Sequence, residues 1–114
     1  MLDTKLQLKD AQTIAVIDGP AQLELAAQRT DLDNADAVLL FARNKAQLLQ
    51  YLDGLKNAVD SNKLTWIAYP KGKQLDTDLN RDIARSILNK NGLNPVRQIS
   101  IDVTWSALRL KKLS

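Results

Sequence analysis

Ala37-Val38-Leu39-Leu40-Phe41-Ala42 is apolar at every position, with no polar residue to hand one face to water. A strand of that kind has to be covered on both sides, as the strands of a parallel sheet flanked by helices are. Two further runs share its character. Thr13-Ile14-Ala15-Val16-Ile17 is closed by Asp18-Gly19-Pro20, and Leu64-Thr65-Trp66-Ile67-Ala68-Tyr69 is stopped by Pro70 and followed by the basic turn Lys71-Gly72-Lys73. These turn residues punctuate the chain, so the three runs are expected to be buried parallel strands of one sheet.

The segments between them carry helical spacing. From Ala21 to Arg29, Leu23, Ala26 and Ala27 fall on one helical face and predict a short helix. Between Lys45 and Val59, Leu48, Leu52, Leu55 and Val59 recur at i, i+4, i+7 and i+11, joined by Leu49, while Gln47, Gln50 and Asp53 form the polar side. Leu48, Leu52 and Leu55 are expected to face the sheet. Leu79, Ile83, Ile87 and Leu88 make a third stripe, with Thr77 or Asp78 placed to cap its start and Gly92 to end it.

The remainder differs in kind. Ile99, Ile101 and Val103 alternate with Gln98, Ser100 and Asp102, and Ala107-Leu108-Arg109-Leu110-Lys111 alternates again, so two final strands are expected with one face less covered. They form either an antiparallel hairpin or one long bent strand. The expected architecture is a three-layer α/β sandwich with a mostly parallel sheet: strand, helix, strand, helix, strand, helix, then two C-terminal strands.

Composition sets the frame for chemistry. The 114 residues suit a single domain spanning 1–114 that buries one core without staples. Cysteine and histidine are both absent. Disulfides, thiolate nucleophiles, Cys or His metal ligands and histidine-based triads are thereby excluded, and any acid or base has to be Asp, Glu, Lys or Tyr. The start Met1-Leu2-Asp3-Thr4-Lys5 lacks the basic and apolar pattern of a signal peptide, and no run reaches membrane-spanning length, so a cytoplasmic location is expected with no membrane partner. Charge is uneven: residues 1–62 hold 6 Lys/Arg against 9 Asp/Glu, and residues 63–114 hold 10 against 4. The basic C-terminal half can attract anions.

Several ordered motifs carry a resemblance. Tyr69-Pro70-Lys71, Thr77-Asp78, Arg81-Asp82, Pro95-Val96, and Ile101-Asp102 with Thr104-Trp105-Ser106-Ala107-Leu108-Arg109 resemble the signature of a family of small bacterial proteins catalogued as a domain of unknown function. Lys5-Leu6, Gly19-Pro20 and Val38-Leu39-Leu40-Phe41 are similar too, so the resemblance covers nearly the whole chain. It implies a compact bacterial α/β domain and carries with it no activity, substrate or cofactor.

In an open parallel sheet, ligands gather at the carboxyl ends of the strands. Three loops are expected to meet there: Asp18-Gly19-Pro20, Ala42-Arg43-Asn44, and Tyr69 through Asp78. A single glycine in the first of them falls short of a dinucleotide fingerprint, and no P-loop occurs. Lys71, Lys73 and Arg81, with Arg43, are the candidates for an anion site, aided by the start of the following helix. Asp76, Asp78 and Asp82 suit helix capping and local ion pairs better than a metal or an acid-base pair. No catalytic residue, metal ligand or cofactor is assigned.

Asp102, Trp105 and Arg109 are candidates for a surface or interface. Trp66 is expected in the core, and packing is the favoured reading for Trp105 as well. The leading expectation is a non-enzymatic binding or regulatory module whose partner is a small anionic ligand or a protein. One alternative is an enzyme or sensor for a phosphorylated small molecule, with an Asp as base. The other is nucleic-acid binding, which requires the basic residues to form one stripe and is weakly supported by so few aromatics.

Overall fold

The computed structural model describes residues 2–72 and 77–112. In chain order the elements are α1 (Leu2–Lys5), β1 (Thr13–Ile17), β2 (Gln28–Arg29), β3 (Ala37–Phe41), α2 (Lys45–Gln50), α3 (Leu52–Asp60), β4 (Leu64–Pro70), α4 (Arg81–Lys90), β5 (Leu93–Ser100) and β6 (Trp105–Lys112). The strands form one sheet in the order β2-β1-β3-β4-β6-β5.

The three apolar runs become β1, β3 and β4. They pair in parallel, Ile14 beside Ala37 and Ala37 beside Leu64. All five residues of β3 are buried, as its position between two parallel neighbours requires.

The expectation of a mostly parallel three-layer sandwich is corrected by the other half of the sheet. β6 inserts between β4 and β5 and runs antiparallel to both, and these two ladders are the longest of the sheet. The fold is a mixed α/β domain. The last two strands are a hairpin rather than one bent strand, closed by Ile101–Thr104, where Asp102 Oδ1 accepts the backbone N–H groups of Thr104 and Trp105. The alternation at Ile101 and Val103 therefore belongs to the turn, and Val103 is 84% exposed.

Helices α2, α3 and α4 layer one face. Leu48 of α2, Leu52 and Leu55 of α3, and Ala84 and Leu88 of α4 pack on Leu40, Ile67, Leu108 and Leu110. On the opposite face lie Leu39, Phe41, Trp66, Ala68, Trp105 and Ala107, and their cover is Leu2, Leu6, Leu8, Leu23, Leu25 and Ala27. The helix expected over 21–29 is thus replaced by turns and the two-residue β2. Leu23, Leu25 and Ala27 alternate with period two, the spacing of extended chain. The Ala26 and Ala27 N–H groups donate to the Asp3 carboxylate at 3.0 and 2.9 Å instead of to helical carbonyls. Burial raises the Asp3 carboxyl, but these donors outweigh it and leave it below its ordinary value.

The stripe expected over 45–59 is present, interrupted at Tyr51 between α2 and α3. Leu48, Leu52 and Leu55 are buried as expected, whereas Leu49 points outward and is 50% exposed. The last helix starts later than Thr77 or Asp78. Its cap is Asn80, whose side chain accepts the Ile83 N–H at 2.9 Å, while Thr77 Oγ1 accepts from Leu79 in the turn before it. Gly92, at φ 79°, follows the helix in the left-handed conformation that suits glycine. Replacing Asn80 with alanine is expected to cost about 0.5–2 kcal/mol, the usual loss for an N-cap. Urea denaturation checks this, and an unchanged midpoint would remove the cap from the account.

Candidate functional site

At the carboxyl end of the parallel strands the chain turns at Asp18, Arg43 and Lys71, and the hairpin brings the end of β5 and the start of β6 to the same edge. Two arrangements of polar side chains stand there.

The first is a closed network around Asp18, which has φ 57°. Its Oδ2 accepts Tyr51 Oη at 2.8 Å and Gln47 Nε2 at 3.0 Å, and its carbonyl accepts Arg43 Nη1 at 2.7 Å. The Arg43 guanidinium carbon also lies 5.4 Å from the centre of the Trp105 ring, a cation-π contact. The hydrogen bond to Asp18, with a smaller part from burial, raises the Tyr51 phenol above its ordinary value. Gly19 next to it sits so close to β1 that a Cβ would lie 2.5 Å from Val16 Cγ1. These contacts tie the Asp18 and Arg43 loops to α2, and the Thr77 hydroxyl, donating to the Arg43 carbonyl, joins the third loop to them, so Arg43 is engaged in holding the edge together.

The second is a cleft of about 320 Å³ between the end of β4, the start of α4 and the hairpin. Lys71, Arg81, Tyr69 and Ser106 line it, with Asn80 and Gln98 at its sides. The register explains the assembly: Tyr69 lies opposite Ser106 across the β4–β6 ladder, and Ile67 and Tyr69 share the helical face of the sheet with α4. Burial raises the Tyr69 phenol, against the opposing influence of Ser106, Arg81 and Arg85, so at neutral pH it is a hydroxyl donor. Lys71 Nζ donates to Ser100 Oγ at 2.5 Å, and Arg81 Nε is 3.7 Å from Asp82 Oδ1 in an exposed pair. An exposed pair of that length binds weakly, so Arg81 can turn to a ligand, and Lys71, held by a neutral hydroxyl, keeps its charge uncompensated by that contact.

Of the anion candidates, Lys71 and Arg81 come together. Arg43 does not line the cleft, and Lys73 lies outside the described residues. Asp76 is outside them as well. Asp78 Oδ1 accepts the Lys45 backbone N–H at 2.8 Å, fixing the 77–80 turn to α2. Among the described residues no cluster of three His, Cys, Asp or Glu is placed to hold a metal.

The interface candidates separate. Asp102 closes the hairpin turn. Trp105 is 3% exposed and meets Phe41 edge to face at 4.9 Å, so its ring serves the core rather than a partner. Arg109 lies at the opposite end of the sheet, with Nη1 donating to Gln7 Oε1 at 2.6 Å. Ser106 and Gln98 escaped sequence reasoning, because their place beside Tyr69 follows from the insertion of β6, which no local pattern encodes. No described helix is long and apolar enough to cross a membrane. No family model matches the chain, and no curated protein matches it.

Proposed function

We propose that this chain, as a cytoplasmic member of the small bacterial family its Tyr69-Pro70-Lys71 and Thr104–Arg109 motifs resemble, is a non-enzymatic module that binds a small phosphorylated ligand at the carboxyl edge. The observation that carries this reading is the convergence of Lys71 and Arg81, from separate elements, on one cleft with the Tyr69 and Ser106 hydroxyls. Two cations supply charge for a phosphate, and neutral hydroxyls supply directed donors. The start of α4 adds a favourable field for negative charge. Asp82 opposes it in part, which points to weak, exchangeable binding. A regulatory module suits this better than an enzyme, because the carboxylate lining the cleft, Asp82, stands beside the Arg81 guanidinium, and Asp78 is engaged by a backbone amide.

The nucleic-acid alternative requires one basic stripe. Instead Lys71 and Arg81 line a cleft at one end of the sheet, and Arg109, Lys111 and Lys112 line another cleft at the other end. Calorimetric titration with nucleotides and sugar phosphates tests the proposal. Wild type is expected to bind at least one of them saturably, more weakly as salt rises. The Lys71→Ala/Arg81→Ala variant is expected to lose about tenfold or more in affinity at this site. Equal binding by both proteins, or none by either, would overturn it.

A further inference from the structure

At the amino end of the parallel strands, Lys63, Asn62, Val59 and Asp60 on one side and Arg109, Leu110, Lys111 and Lys112 on the other enclose a cleft of about 530 Å³. A second lobe of about 410 Å³, reaching to Gln7, Lys9 and Gln12, shares Asn62, Lys63 and Arg109 with it. The combined groove is of the size that small ligands occupy. Its charges are not equally available. Lys63 Nζ donates to the carbonyls of Leu32, Asp33 and Ala35 and is a structural tie, and the Asp36 carboxylate accepts the Thr13 N–H.

Arg109 is different. Its Nη1 is engaged by Gln7, while its Nε is buried with no acceptor among the described residues. In the hairpin register Arg97 stands directly opposite Arg109, two like charges on one cross-strand pair. Such a pair is unfavourable as it stands. A guanidinium with an unmatched buried donor, a second arginine across the ladder and two lysines following it in the strand gather positive charge that no ion pair among the described residues engages.

We propose that this groove is a second oxyanion site, centred on Arg109 and completed by Lys111 and Lys112, for a compact polyanion bearing phosphate or carboxylate groups. An oxyanion at the outer edge of the guanidinium relieves the Arg97–Arg109 repulsion and lessens the cost of the desolvated charge. Lys111 and Lys112 point to alternate faces of the strand end and can take the remaining charge from both sides. Asp60 sets a limit on the groove by repelling any anion that sits deeper against α3.

The test is calorimetric titration with inorganic pyrophosphate and with citrate in a Lys71→Ala/Arg81→Ala background, which removes the carboxyl-edge cleft from the measurement. The background protein is expected to bind one equivalent of at least one probe, and preference between the two assigns phosphate or carboxylate. Adding Arg109→Gln or, separately, Lys111→Ala/Lys112→Ala is expected to weaken it about tenfold or more. The lysine pair is at the surface, so it decides the matter if Arg109→Gln disturbs folding by circular dichroism. No binding in the background, or undiminished binding in the lysine variant, would overturn the proposal. Failure of the carboxyl-edge reading is seen separately, as wild type and background binding the same number of equivalents.

Discussion

Replacing Trp66 with alanine is expected to destabilise the domain by about 3–5 kcal/mol, the range for truncating a fully buried aromatic. Trp66 heads the fully buried side chains by volume and sits on β4 among Leu39, Phe41 and Ala107. Its Nε1 also donates to the Leu6 carbonyl at 3.0 Å, fixing the chain after α1 over the face that lacks long helices. Truncation therefore opens a cavity, leaves the Leu6 carbonyl without that donor and loosens the cover. Trp66→Phe fills most of the volume but loses the hydrogen bond, so it is expected to fall between alanine and wild type. Denaturant midpoints for the three proteins measure this, and an alanine cost below about 1.5 kcal/mol, the scale of a volume-conserving swap, would show that this face is not packed as described.

Leu52→Ala is expected to cost about 2–5 kcal/mol, because Leu52 lies on the buried side of α3 against the sheet. Leu49→Ala is the informative control. Both leucines belong to one sequence stripe, yet Leu49 is half exposed, and its replacement is expected to stay within about 0.5 kcal/mol of wild type. Equal costs in equilibrium denaturation would contradict the orientation of α2 relative to α3.

The parallel trio was legible because its strands are apolar on both faces, a local property that burial between neighbours demands. The antiparallel half was not. Whether β6 pairs with β4 or lies beyond β5 depends on long-range competition among edges, and Ala107-Leu108 looks the same in either place. The 21–29 segment was misread from Ala26 and Ala27, whose backbone donors are claimed by Asp3 from across the molecule. The same limit governs the site. Lys71 and Arg81 stood out as a basic turn and a helix start, but Ser106 and Gln98 reach the cleft only through the hairpin register. Arg43 carried the right charge and loop position, and its commitment to Asp18 and Trp105 depends on contacts that span the fold.

The most direct test of the carboxyl-edge reading is amide chemical-shift mapping of the wild-type protein during titration with a phosphorylated ligand identified by calorimetry. The account predicts saturable shifts concentrated at Lys71, Gly72, Arg81, Asp82, Gln98 and Ser106, the residues around the cleft, and their loss in Lys71→Ala/Arg81→Ala. Shifts confined to the Arg109 end, or spread evenly over all exposed lysines, would contradict it.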